Sequence, residues 1–181
     1  SPSGRLAMTV PAHPGEVPLS YASDPTGRPY QGRFAKFRTG WLDMPDDAPR
    51  FPFGFGLGYG QIAYGAPSLS QDSAEAGQTV ELRIALENTG QAEVIETVQL
   101  YASDPIARRT LPGRALIDFR QVTLAPGQSC EVVFAISAGQ FAYPVAPALE
   151  AAEWVRDPGL IQLHVGPNSR DTQTVELTWL D

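Results

Sequence analysis

Residues 50–64, RFPFGFGLGYGQIAY, set Phe51, Phe53, Phe55 and Tyr59 among Gly54, Gly56, Gly58 and Gly60. Glycine costs roughly 1 kcal/mol per helical position, so this run is expected to be extended or turning backbone, with the rings supplying buried area. The stretch is a junction. Before it lies a Pro-, Gly- and Arg-rich ribbon with little periodicity, and after it, from about Ser68, the chain alternates apolar and polar residues as strands do. The alternate glycines do not make a dinucleotide loop, which needs a preceding strand and a helix opening on its last glycine. Pro52 stands just before the run, no amphipathic helix follows, and there is no Gly-Lys-Ser/Thr sequence for a phosphate loop.

Upstream, eight prolines fall within residues 1–50. At that density helices of useful length and central strands are both disfavoured. One strand is expected, Leu6 to Val10, without a sequence partner nearby; it belongs either to a sheet whose other strands are missing or to the edge of the downstream domain. A ribbon this long is unusual inside a compact domain, where loops beyond about 12 to 15 residues are uncommon.

Downstream the period is two. Gln78 to Asn88 sets Val80, Leu82, Ile84 and Leu86 on one face against Glu81, Arg83 and Glu87 on the other, the pattern of a half-buried antiparallel strand. Asn88-Thr89-Gly90 turns the chain into Glu93 to Tyr101, with Val94, Val98 and Leu100 inward. Ala115 to Leu124 is expected as a strand carrying Leu116, Ile117, Phe119, Val122 and Leu124, with a bulge after Phe119 where the alternation slips. Ser129 to Ile136, Leu160 to Val165 and Asp171 to Leu180 follow, and a first strand falls near Pro67 to Asp72. Seven short strands at roughly ten-residue spacing predict an all-β, immunoglobulin-like or fibronectin type III-like antiparallel sandwich preceded by an extended strap.

Length and composition set the outer limits. The chain of 181 residues holds one ordinary domain plus an appendage. Its 43% hydrophobic and 18% charged fractions are those of a globular protein, and no apolar run approaches the roughly 20 residues of a membrane span. A net charge of -7 argues against a nucleic-acid partner, which needs clustered cations. The small basic clusters, Arg28, Arg33, Lys36 and Arg38 and then Arg108, Arg109 and Arg114, read as solvated loops or internal ion pairs. Cys130 is the single cysteine, which excludes an intrachain disulfide and a cysteine-based metal site. It falls on the inward phase of its strand and reads as a small buried hydrophobe. The chain opens on Ser1 with neither a charged n-region nor an apolar h-region, so no signal peptide is expected within it and it reads as a piece of something longer.

Candidate chemistry is sparse. Cleaving a sugar linkage takes two carboxyl groups about 5 to 5.5 Å apart for retention or about 6.5 to 9.5 Å for inversion. None of the 20 acidic residues is visibly paired on a rigid element. Asp46 and Asp47 adjoin in a Pro-flanked loop and read as a solvated turn. His13 lies between prolines, and His164 takes the outward phase of its strand with no evident partner, so a metal site or a Ser-His-Asp triad is not expected. No cofactor is implied. Phe34, Phe37 and Trp41 in RFAKFRTGWLD form an aromatic, basic segment whose rings either pack or stack on a sugar.

Taken together, Pro2-Ser3-Gly4-Arg5-Leu6, Thr26-Gly27-Arg28-Pro29-Tyr30, Trp41-Leu42-Asp43 and Phe51-Pro52-Phe53-Gly54-Phe55-Gly56-Leu57-Gly58-Tyr59 resemble the C-terminal part of glycoside hydrolase family three, in particular bacterial periplasmic β-glucosidases. Asn88-Thr89-Gly90, Val98-Gln99-Leu100-Tyr101, Leu124 to Ser129, and Trp154 to Gly159 ahead of Val165-Gly166 fit the same pattern in the same order. Departures are Gly58 where the family has Ser, Ala7 where Pro is common, and a Gly113 to Phe119 element that matches only loosely. The resemblance implies three parts: residues 1–10 as the last strand segment of an α/β-sandwich domain, 11–65 as a linker strap, and 66–181 as a fibronectin type III-like domain. It implies that the nucleophilic Asp and the acid/base Glu lie upstream, so that the chain alone is inactive. Its partners would be the N-terminal catalytic domains of the same enzyme, with β-glucoside or oligosaccharide bound only by the intact enzyme. It also favours a periplasmic or secreted location. Trp41 and Asp43 are the candidate substrate-binding residues, at an outer subsite on the aglycone side. The alternative is an independent carbohydrate-binding or adhesion module. An orphaned apolar strand would also give copies of the chain a means of pairing into a homo-oligomer.

Overall fold

The computed structural model describes residues 2–24, 49–145 and 153–181. Trp41 and Asp43 lie outside the described residues, as do Phe34, Phe37, Asp46, Asp47 and the first basic cluster. Eleven strands occur among the described residues: β1 (Ile62–Tyr64), β2 (Ser68–Leu69), β3 (Ser73–Ala74), β4 (Thr79–Asn88), β5 (Val94–Ser103), β6 (Ala115–Leu124), β7 (Ser129–Ser137), β8 (Tyr143–Val145), β9 (Glu153–Val155), β10 (Gly159–Gly166) and β11 (Gln173–Trp179). The helical pieces among them are two short 3-10 turns, Pro14–Glu16 and Ala138–Phe141.

Nine of the strands form the two sheets of the sandwich, and β8 and β9 make a separate two-stranded ribbon. In one, β4 is flanked by β7 on one edge and by β1 and β2, end to end, on the other; the second runs β3-β11-β10-β5-β6. The expected single first strand is instead three fragments. Pro67, which has no N–H for a ladder, separates β1 from β2, and the chain then crosses between sheets so that β3 pairs in parallel with β11. The β8–β9 hairpin was not anticipated; it arises from the connection that carries Tyr143 and Trp154.

The alternation read in β4 is the packing observed. Val80, Leu82, Ile84 and Leu86 are each 1% exposed or less and face Ile136, Phe134, Val132 and Cys130 across the β4–β7 ladder. Val98, Leu100, Leu163, Val165, Leu177 and Trp179 close the core from the opposite sheet. Each such burial contributes about 1.5–3 kcal/mol. Cys130 packs half-buried against this core, and burial pushes its thiol above the ordinary range. On the outer face of β4, Arg83 reaches Glu131 at 2.8 Å, an exposed pair of the kind that adds little stability.

Turn chemistry sets the ends of the ladders. Asn88 is fully buried; its amide donates to the carbonyls of Ala92 (2.8 Å) and Leu124 (2.9 Å) while its Oδ1 accepts the N–H of Gly90 at 3.0 Å. One side chain thereby shapes the β4–β5 turn and holds the end of β6 against it.

The β6 irregularity falls earlier than the alternation suggested. Leu100 pairs with Asp118 and Tyr101 with Leu116, which leaves Ile117 as the extra residue. Phe119 therefore takes the outward phase and is 58% exposed, where the sequence pattern placed it among the apolar residues of the strand. Arg120 takes the inward phase at this edge, with its guanidinium 5.5 Å from the centre of the Phe134 ring, a cation–π contact.

The Phe51–Gly56 part of the aromatic–glycine run lies over the outer face of the five-stranded sheet, with Phe53 and Gly54 against Gln99 and Tyr101. The N–H of Leu6 donates to the Phe55 carbonyl and that of Gly54 to the Leu6 carbonyl, both at 2.8 Å, and Val10 and Phe51 exchange two further bonds. The Leu6–Val10 segment is therefore not the strand expected: it makes a single bridge, Val10 with Phe51, and its partner is the aromatic–glycine run itself, whose glycines and Pro52 do not sustain a ladder. Gly54 has φ +79°, and a Cβ built there would stand 2.0 Å from Gln99 Oε1. Replacing Gly54 with Ala combines left-handed strain with overpacking and should destabilise by about 2–4 kcal/mol, read as a lowered urea midpoint.

Candidate functional site

The polar side chains of the described residues concentrate where the strap, residues 2–24 and 49–60, crosses the sandwich. Strand β5 lies beneath that crossing and is buried on both faces, which explains why polar Glu96, Thr97 and Gln99 are 8%, 7% and 3% exposed. Burial of that kind demands partners.

Gln99 finds three. Its Nε2 donates to the carbonyls of Gly54 (3.0 Å) and Pro167 (2.6 Å), and its Oε1 accepts the hydroxyl of Tyr101 at 2.5 Å. The Phe53 carbonyl accepts the N–H of Ser169 at 2.9 Å, which ties the strap to the β10–β11 turn. Phe53 stacks on Tyr21 at 4.1 Å between ring centres, and both meet the Tyr101 ring edge-on. Burial raises the Tyr101 phenol well above its usual range.

Glu96 is the second junction. It accepts from Arg5 Nη2 at 3.0 Å and from the Tyr64 hydroxyl at 2.9 Å, joining the strap and both sheets at one carboxylate. Burial first, and then the Glu96 charge, push the Tyr64 phenol up, so it stays a donor. Removing one partner of a pair this enclosed strands the other charge.

The sequence placed His164 outward and without a partner. It is on the outward phase, but loop residues 104–114 cover that face, leaving it 5% exposed with two partners: Ser103 Oγ lies 2.8 Å from Nε2 and Thr174 Oγ1 lies 2.8 Å from Nδ1. Ser103 donates its own proton to the Gly113 carbonyl at 2.7 Å. The Nε2–H therefore donates to Ser103 and Nδ1 accepts from Thr174, which makes the imidazole a bridge between strands rather than a base poised on a serine. No sequence signal revealed this, because the covering loop is distant from His164 along the chain. Burial, with a contribution from Arg114, holds the imidazole down to about 4 from its ordinary 6.5.

Several other charged groups are engaged as well. Asp157 binds Arg108 Nε at 2.7 Å and the hydroxyl of Tyr143, so the loop after β5 is tied to the β8–β9 hairpin. The hydrogen bond from Tyr143 keeps the Asp157 carboxyl below the usual range. Arg114 donates to the Ser169 carbonyl and to Thr172. Among the described residues no group of three or more His, Cys, Asp or Glu is placed to hold a metal ion, and no helix is long and apolar enough to cross a membrane. What these polar groups do is fasten: Glu96, Gln99, Asp157 and His164 each bind another part of the same chain.

Comparison with known proteins gives this geometry a context. Residues 96–169 match the family model of a fibronectin type III-like domain. The chain is 32% identical over 180 residues to a β-xylosidase of Formosa agariphila, across 98% of this chain and 23% of that protein. Two solved β-glucosidases superpose on 99% of the chain: that of Erythrobacter marinus, at 31% identity and a TM-score of 0.85, and that of Listeria innocua with bound glucose, at 27% and 0.88. The chain spans less than a quarter of the length of the Formosa enzyme and 24% of the Listeria chain.

The His164 environment predicts a pH dependence. Between about pH 6.5 and pH 4 the unfolded chain binds a proton that the folded imidazole refuses, so stability falls as the pH is lowered across that window and this contribution flattens below it. His164→Gln should remove that part of the slope when urea midpoints are compared across the window; an unchanged slope would contradict the buried, neutral imidazole.

Proposed function

From a chain that belongs to the fibronectin type III-like, C-terminal region of glycoside hydrolase family three, we propose a structural, non-catalytic role within a larger enzyme that releases terminal β-linked glucose. In that enzyme residues 1–10 close the α/β-sandwich domain, 11–65 form the strap, and 66–181 form the module that stabilises the catalytic domains. The observation that carries this reading is that the buried acids, amide and imidazole of the sandwich are engaged within the chain: Glu96 and Gln99 hold the strap, Asp157 the β8–β9 hairpin, and His164 bridges neighbouring strands. Chemistry then falls to carboxyl groups elsewhere in the polypeptide, where an Asp nucleophile and a Glu acid/base would act.

Trp41 and Asp43 enter the reading from sequence. An aromatic ring and a carboxylate on a long strap suit the stacking and hydrogen bonding of a sugar at an outer subsite on the aglycone side. Trp41→Ala in the full-length enzyme should raise KM for longer oligosaccharides by about tenfold, the worth of about 1.4 kcal/mol, with little change for short ones. Equal KM values for mutant and parent across chain lengths would remove Trp41 from the cleft.

A second reading, an independent carbohydrate-binding module, draws on Trp154, which is 69% exposed on β9. Isothermal titration of the 181-residue chain with cello-oligosaccharides separates the two. A structural module gives no binding heat and no turnover of β-linked glucosides, whereas a binding module keeps its affinity in isolation.

A further inference from the structure

The strap, the β5–β6 loop and the β10–β11 turn together line a pocket of about 370 Å³, whose polar residues are Thr9, Ser20, Tyr21, Arg114, Ser169 and Arg170. That volume falls in the roughly 300–1,000 Å³ range of small-molecule sites. Two guanidinium groups line it and, among the described residues, no carboxylate does, in a chain whose net charge is -7. Arg114 is half-buried, yet its described partners are neutral. Its Nη1 donates to the Ser169 carbonyl and to Thr172 Oγ1 (3.3 Å), while Nε and Nη2 donate to nothing among the described residues. Burial holds this guanidinium below its usual pKa, as befits a charge drawn from water without a counter-ion. Arg170 meets a carboxylate only at 3.8 Å, on Asp171, whose other oxygen Asn168 holds at 3.0 Å. Thr9 adds a buried hydroxyl with no partner among the described residues. Guanidinium groups can only donate and a hydroxyl can donate as well, so the pocket is short of acceptors and of negative charge.

We propose that this pocket is an oxyanion site, in which a phosphate, sulfate or carboxylate group accepts hydrogen bonds from Arg114, Arg170 and Thr9. The guanidinium fork matches such groups with paired hydrogen bonds, roughly twice as strong as those between neutral partners. A bound oxyanion joins three pieces of chain that are far apart in sequence, so occupancy tightens the same crossing that Gln99 holds from below. Inorganic phosphate or sulfate and the carboxylate of a sugar acid share this chemistry, whereas a neutral sugar leaves both cations uncompensated. The site goes beyond the structural-module reading and does not depend on it.

Isothermal titration of the 181-residue chain at fixed ionic strength, with sodium phosphate, sodium glucuronate and glucose in turn, tests the site. Phosphate, glucuronate or both are expected to give a saturable heat and glucose none; the anion that saturates tells an inorganic source from a sugar acid. Arg170→Gln should weaken the affinity at least tenfold, and because the Arg170 side chain is 55% exposed the variant is expected to fold as its parent does. Arg114→Gln should abolish binding, and if that variant fails to fold, Arg170→Gln decides. Saturable binding also raises the melting temperature by mass action, above the gain that phosphate gives by exclusion from any protein surface; Arg170→Gln should keep only the latter. A parent chain without saturable heat for either anion, an Arg170→Gln chain that binds as its parent does, or glucose binding as tightly as glucuronate each overturns the proposal.

Discussion

The buried amide of Gln99 is the bond on which the strap depends. It stands in the middle of a strand covered on both sides, where an unpaired donor or acceptor costs about 1–3 kcal/mol. Its two donated bonds reach the strap at Gly54 and the β10–β11 turn at Pro167, and its oxygen takes the Tyr101 hydroxyl. Satisfying one side chain thus fixes the height and register of the strap over the sheet, and Phe53 then has a single place to lie, between Tyr21 and Tyr101. Arg5 and Glu96 fix the same strap at a second point. Together they make residues 2–24 and 49–60 a third layer on the sandwich.

That layering decides what was legible in the sequence. Strand β4 and its partner β7 face solvent on their outer side, so their period of two was visible and gave the correct inward residues. Strand β5 has water on neither face; Glu96, Gln99 and Tyr101 are buried for reasons that lie about 45 to 90 positions away in the chain. A similar distance hid the bonds between Leu6–Val10 and Phe51–Phe55 and the Ser103 partner of His164, 61 positions away. The β6 bulge was visible as a slip in alternation, yet its place at Ile117 depends on the register against β5, which one strand alone does not encode. Linked motifs such as Pro2 to Leu6 and Phe51 to Tyr59 carried the family relationship where periodicity was silent.

The distribution of chemistry follows the distribution of layers. Among the described residues, Arg5, Glu96, Gln99 and Tyr101 are engaged where the strap crosses the sheet, while Leu6, Val10, Phe51, Phe55 and Leu57 leave an apolar surface beside it. A domain arranged in this way holds itself rigid with its charges and presents hydrocarbon outward, which suits a scaffold better than a catalyst.

The bulge at Ile117 has a bearing beyond local geometry. Strand β6 is the open border of the five-stranded sheet, and an unguarded border of that length invites another chain to add a strand and begin a fibril. The extra residue interrupts the even spacing of donors and acceptors that an incoming strand would have to match, and Asp118 and Arg120 place charge beside the break. One misaligned residue thus makes the border a poor template for a further strand.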